Sequence, residues 1–220
     1  MHASSSEIGR RLRVVKLSSL GDLFHPQPSV RVLKEALGVR IDWVTQNGYL
    51  DVVSCFSDVD RVIAFPRTAT LRRLPGFLAE LRRERYDYIL DFQGLFKSGV
   101  VARAARGGRR VGPSFNREGA SLFYHAVAGT RDKDRHAVDE AMDVLRYLEL
   151  PVPDEPAFPV DFPPFEITGS GPRVALAPCS RWPTKNWPVA SFAAVGRALR
   201  EKVGASLYLC LLYTSPSPRD

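Results

Sequence analysis

Three stretches combine residue types suited to an anionic ligand and a transferable proton. The first is Lys16-Leu-Ser-Ser-Leu-Gly-Asp22, set between an apolar β-branched run and an amphipathic one. At the carboxyl end of a strand facing a helix N-terminus, free backbone amides favour an anion, and Gly21 would let the backbone approach it. A single glycine makes neither the GxGxxG dinucleotide fingerprint nor a GxxxxGK[ST] phosphate loop. Asp22 would repel a phosphate seated directly on it, so its chemistry is to accept a proton or hold a sugar hydroxyl. An aspartate here also suits a helix N-cap.

The second stretch runs from Pro178 to Pro188, again between a strand pattern and a helix pattern. It offers the Ser180 hydroxyl, the Lys185 ammonium and two tryptophans, a set that could cradle a diphosphate. Equally, Trp182 and Trp187 could be packing anchors and Lys185 a solvated surface residue. The third is Asp91-Phe-Gln-Gly-Leu-Phe-Lys97-Ser98, with Arg117 to Tyr124 and His136 downstream. In a doubly wound sheet the strand ends converge on one rim, which could turn Lys97 toward the cleft of Asp22. His25, His125 and His136 lack companions at ligand spacing, and Cys55, Cys179 and Cys210 form no metal or disulfide framework, so no metal site is expected.

The elements that must position these groups follow a β-α-β-α rhythm, the mark of a parallel sheet with crossover helices. Strands are expected at Arg13–Leu17, Arg40–Val44, Arg61–Phe65, Tyr86–Phe92, Arg109–Gly112, Arg173–Ala177 and Ala205–Leu212. Helices are expected at Pro28–Leu37, Leu71–Arg85, Leu95–Ala105 (capped by Gly107-Gly108), His136–Leu150 and Val189–Val203. The fold class is therefore α/β, with a doubly wound N-terminal domain over residues 1–150. Seven prolines between Pro151 and Pro172 bar helix and central strand, so 151–172 reads as an interdomain linker. Residues 173–209 begin a second domain with one β-α-β unit. The Ser/Pro-rich stretch 210–220 is expected to be either a non-native cloning tail or a flexible one.

Composition narrows the class further. With 220 residues, 45% hydrophobic and 25% charged, the chain is globular rather than disordered or fibrous. Of its +7 net charge, residues 61–135 carry 16 basic against 7 acidic side chains, a local +9. That field favours an anionic partner such as phospholipid, a phosphorylated glycolipid or nucleic acid. No zinc-finger, RNA-recognition or helix-turn-helix pattern supports the last. No apolar run approaches the roughly 20 residues that a spanning helix needs, and the N-terminal residues show no apolar h-region, so a cytoplasmic protein, at most peripheral to the inner membrane, is expected.

Taken in order, KLSSLGD, RIDWV, DVDRVIAFPR, YDYILDFQGLFKS, REGASLFY, DRHAVD and RWPTKNWP resemble the ADP-heptose:lipopolysaccharide heptosyltransferases, nearest the heptosyltransferase I type of glycosyltransferase family 9. The resemblance covers about Arg13 to Val203. It implies a GT-B enzyme of two Rossmann-like domains, transferring heptose from ADP-heptose to the Kdo sugar of lipid A with inversion and without metal or other cofactor. By the resemblance, Asp22 is the general base and Ser19, Gly21, Ser180 and Lys185 are donor-side residues. Arg67, Arg72, Arg73, Lys97, Arg117 and His136 would be acceptor contacts.

The chain departs from the family pattern at His25-Pro-Gln-Pro-Ser29, where a second proline precedes the first helix. The distal donor-domain motifs are also missing, so weak donor binding is expected. The competing reading is a non-catalytic basic α/β module that binds anionic lipid or nucleic acid.

Overall fold

The computed structural model describes residues 10–66, 73–164, 166, 168–178, 184 and 186–210. The chain divides into two compact units between Pro163 and Pro164. In the first, six strands form one parallel sheet: β1 Arg11–Val15, β2 Arg40–Gln46, β3 Arg61–Phe65, β4 Tyr86–Asp91, β5 Gly107–Pro113 and β6 Ala126–Ala128. Their spatial order is β3-β2-β1-β4-β5-β6, with β1 paired in parallel to β2 on one side and β4 on the other.

Among the described residues four helices connect successive strands, α1 Gln27–Leu37, α2 Leu50–Ser54, α3 Leu74–Arg82 and α4 Phe96–Ala104, and two more follow β6, α5 Ala137–Ala141 and α6 Asp143–Tyr147. Strand alternation feeds two cores, one on each face of the sheet. Leu12 and Val14 of β1 pack with Val30 and Leu33 of α1 and Leu145 of α6. Val15 packs on the other face with Phe77 and Leu81 of α3 and Val101 and Ala102 of α4. Each such aliphatic side chain removed from water contributes about 1.5–3 kcal/mol, so covering both faces is what holds a parallel sheet together. The doubly wound α/β architecture expected from the sequence is the one found.

Several boundaries differ from the sequence reading. Gly107 and Gly108 do not cap α4, which closes at Ala105 in extended backbone; they open β5 instead. There a Cβ would come within 2.4 Å of the Tyr86 carbonyl oxygen and 2.5 Å of that of Asp87. The glycines serve close strand packing. The single helix expected at His136–Leu150 is broken at Met142, where ψ is −7°. The next residue, Asp143, is clamped by both guanidinium nitrogens of Arg135 at 2.8 Å and by Arg146 at 2.7 Å. α1 ends in the expected way, with Gly38 left-handed at φ 59° and its amide on the Lys34 carbonyl.

Part of the proline-rich segment is bonded to this first unit. The Ser57 amide donates to Pro159 O at 3.2 Å and the Asp161 amide to Cys55 O at 2.7 Å. The second unit contains β7 Arg173–Leu176 and β8 Ser206–Leu209, paired in parallel, and α7 Val189–Val203 between them. Gly204, left-handed at φ 64°, stops α7.

Candidate functional site

The sheet order sets where a ligand can sit. From β1 the chain winds outward through β2 and β3, then returns to place β4 on the other side of β1. The loops leaving β1 and β4 therefore diverge and leave a crevice at the carboxyl ends of these strands. A cleft of about 360 Å³ opens there, with Lys16, Asp22, His25, Gln93, Arg117 and Glu140 among its walls. A wider depression of about 870 Å³ lies at the opposite, amino-terminal edge of the strands, beside Arg11, Glu84 and Asp87. No residue of the Lys16–Asp22 or Asp91–Ser98 stretches, nor Arg117 or His136, lines it.

Two cross-strand ties shape the cleft. Lys16, the residue after β1, is 7% exposed and donates from Nζ to the Phe92 carbonyl at 2.9 Å. Burial lowers its pKa, against the pull of Asp22 and Asp91 in the other direction. Gln93 turns its side-chain oxygen back to accept the amides of Leu17 and Ser18 at 3.1 and 3.0 Å. The loop carrying Asp22 is thus fastened to the loop after β4.

Asp22 lies inside a short 3-10 turn, Gly21–Leu23, and is not a helix N-cap; Pro26 occupies that position for α1. Its Oδ2 accepts from the Ser19 amide at 3.0 Å and the Ser19 hydroxyl at 2.6 Å. Its Oδ1 makes no hydrogen bond among the described residues and stands 3.9 Å from His25 Nδ1. Burial pushes the Asp22 pKa up, but the two Ser19 bonds, Lys16 and His25 outweigh it, and the carboxyl sits below its ordinary value. The result is an ionised carboxylate in the cleft wall, with one oxygen anchored by Ser19 and the other without a hydrogen bond among the described residues.

His25 continues the site. Its ring lies 6.0 Å from that of His136 in an edge-on arrangement. Burial lowers its pKa, against the pull of Asp22, and Lys16 and His136 lower it further. His136 itself caps α5, its Nδ1 accepting the Val138 amide at 3.3 Å. Arg117 lines the cleft, and its backbone amide donates to Gly94 O at 2.8 Å.

Asp22, Ser19, Arg117 and His136 therefore gather at one crevice. Gly21 is exposed beside them, with open space where a Cβ would stand. Lys97 does not turn into this cleft as expected: it is exposed on α4, with Nζ 5.8 Å above the Phe65 ring. Arg73 is exposed at the start of α3. Arg67, Arg72, Ser180 and Lys185 fall outside the described residues.

Sequence reasoning passed over Lys16, His25, Gln93 and Glu140 as site residues. Lys16 and Gln93 each stand just past the end of a central strand, a position that could have marked them. No group of three or more His, Cys, Asp or Glu among the described residues could hold a metal ion.

The profile of glycosyltransferase family 9 (heptosyltransferase) matches residues 76–213. The chain belongs to glycosyltransferase family 9. Within that family, the lipopolysaccharide heptosyltransferase 1 of Salmonella typhimurium is 33% identical over 153 residues, which are 61% of this chain and 46% of that protein. The Pseudomonas aeruginosa heptosyltransferase 1 is 26% identical over 213 residues, 87% of this chain and 58% of that protein. The chain spans about half the length of the curated relatives it matches.

Among solved structures, the E. coli heptosyltransferase WaaC with ADP superposes with a TM-score of 0.75 at 25% identity, covering 90% of this chain and 67% of that one. The E. coli ADP-heptose lps heptosyltransferase II gives 0.71 at 20% identity over 90% of this chain and 63% of that one, a likeness of fold. The α/β fold of this family 9 chain is thus that of the GT-B heptosyltransferases.

Proposed function

We propose that the protein carrying this chain transfers heptose from ADP-heptose to a Kdo sugar of lipid A, in the cytoplasm, with the cleft at β1 and β4 receiving the acceptor. The observation that carries this reading is the Asp22 carboxylate in the cleft wall, with Oδ2 held by Ser19 and Oδ1 free of hydrogen bonds among the described residues. A fixed, ionised carboxylate of this kind is what an acceptor hydroxyl needs as its general base.

The reaction is a single displacement with inversion. As the acceptor oxygen bonds to the anomeric carbon, its proton passes to Asp22 Oδ1, and the bond from that carbon to the ADP oxygen breaks. Charge develops on the departing diphosphate, and the family resemblance assigns Lys185 and Ser180 to neutralise it, so this mechanism needs no metal. Arg117 supplies a cation for the carboxylate or phosphate groups of the acceptor. The donor assignment is supported by the solved relatives, which include WaaC with ADP and with ADP-2-deoxy-2-fluoro heptose.

The test is transfer of heptose from ADP-heptose to Kdo2-lipid A, followed with Asp22→Asn. A lost general base lowers kcat by about 10²–10⁴-fold, with donor affinity nearly unchanged. Equal turnover in variant and parent removes Asp22 from the mechanism. Absence of transfer by the parent, with binding to anionic lipid retained, returns the chain to a non-catalytic module.

A further inference from the structure

The outer side of α4 is unusual for a surface helix. Its inward residues Ser98, Gly99, Val101 and Ala102 are buried, as expected, yet Phe96 and Val100 on the outward side are 51% and 41% exposed. Phe96, Val100 and Arg103 fall at i, i+4 and i+7, one stripe of the helix. Beside it the 3-10 turn Ala120–Phe123 holds Leu122 out at 84% exposure.

The two elements are joined into one face. The Phe96 and Phe123 rings meet at 5.3 Å. Gly99 permits this approach, since a Cβ there would come within 2.6 Å of the Phe123 ring. The Phe96 amide donates to Glu118 at 3.2 Å, which occupies the acidic member of the group. Cations surround the apolar residues: Lys97 and Arg103 on α4, Arg117 before the turn, and Arg110, whose Nε donates to Phe123 O at 2.9 Å. An apolar tip ringed by long basic side chains fits the interface of an anionic bilayer, where aliphatic groups enter the acyl boundary and cations meet phosphates.

We propose that this face, built from α4 and the Ala120–Phe123 turn, docks the protein on anionic phospholipid. The inference rests on the acceptor reading in one respect: Leu95 and Arg117, which line the cleft, flank Phe96 and Glu118 of this face. A lipid-anchored sugar can therefore reach Asp22 without its acyl chains leaving the membrane.

The test is co-sedimentation of the protein with vesicles of phosphatidylethanolamine and phosphatidylglycerol, against vesicles of phosphatidylcholine alone. The parent is expected to bind the former and not the latter, more weakly as salt rises. Leu122→Ser, at a position too exposed to disturb folding, should weaken binding about tenfold, the scale of losing one buried aliphatic side chain. Arg103→Glu should weaken it as well. Heptose transfer to acceptor dispersed in detergent micelles should be unchanged in both variants, which separates docking from the reaction. Vesicle binding equal in parent and variants overturns the proposal. So does a parent that binds neither vesicle, or a Leu122→Ser variant that changes only self-association on gel filtration. Loss of micellar transfer in Leu122→Ser also overturns it, by placing Leu122 in acceptor recognition.

Discussion

The Tyr124 hydroxyl donates to Asp91 Oδ2 at 2.7 Å, across 33 residues of chain. Asp91 ends β4 and is 3% exposed; its Oδ1 accepts the Gln93 amide at 2.7 Å and that of Gly94 at 3.2 Å. Those bonds shape the turn that sends Gln93 back to the Asp22 loop. Tyr124 reaches the carboxylate by lying flat on Gly112, where a Cβ would come within 2.0 Å of its ring. The candidate base is thus positioned through a buried carboxylate that takes no part in the chemistry proposed for it.

Tyr124→Phe is expected to destabilise the fold by about 1–3 kcal/mol, the cost of leaving a buried acceptor without its donor. The loss should depend on pH. Burial raises the Asp91 pKa, and Tyr124, Ser98 and the two amides lower it again, so removing the hydroxyl raises it further. A raised folded pKa contributes stability that is fully present below the unfolded value, about 3.9, and lost as pH rises through the folded one. Variant and parent should therefore differ more at pH 7 than at pH 3.5, as read by chemical denaturation; a difference that shrinks with rising pH contradicts this account.

Gln93→Leu leaves the Leu17 and Ser18 amides without their acceptor. The expected effect is a fall in kcat of tenfold to about 10²-fold, the range for a small displacement of a catalytic group. Gln93→Glu, which keeps an acceptor oxygen in place, should recover most of it. Steady-state kinetics on the three proteins decides the matter.

Ser19→Ala should move the acid limb of the pH–rate profile. A general base works only when ionised, so activity falls as pH drops through the Asp22 pKa. The Ser19 hydroxyl is among the groups holding that pKa below its ordinary value. Without it the limb lies at higher pH, while the rate on the alkaline side changes little. A limb that stays where it was assigns the titration to another group.

Arg13→Leu tests the core beneath the site. Arg13 is 0% exposed in β1 and donates to Leu81 O and to the Tyr86 hydroxyl, which in turn donates to Asp42. Burial pushes the Tyr86 pKa up to about 12, against Arg13, with Asp42 adding to the rise. Removing the cation leaves the Asp42 carboxylate, 1% exposed, with Arg61 at 3.4 Å as its remaining cation. A loss of about 3–5 kcal/mol is expected on urea unfolding, as for other broken buried pairs.

Several local elements were legible in the sequence, and the family resemblance pointed to Asp22 as the candidate base. β3 and α7 occupy the residues expected of them, because a short β-branched run and a fifteen-residue helical period closed by Gly204 act over neighbouring positions. The strand, single glycine and helix around Asp22 marked a strand-end loop suited to a ligand, and only the family resemblance made its carboxylate the base. β6 and α2, three and five residues long, are too short to show a period. Gly107-Gly108 misled for a different reason: glycine serves both helix ends and close strand contacts, and only the position of Tyr86 shows which applies.

Tertiary structure decided everything that depends on β1 lying beside β4. The tie from Gln93 to Ser18 spans 75 residues, and His25 meets a ring at His136 with no spacing rule to announce it. Burial of apolar side chains on both faces of the sheet selects that strand order. It is a sum over the whole unit, so no window of sequence contains it.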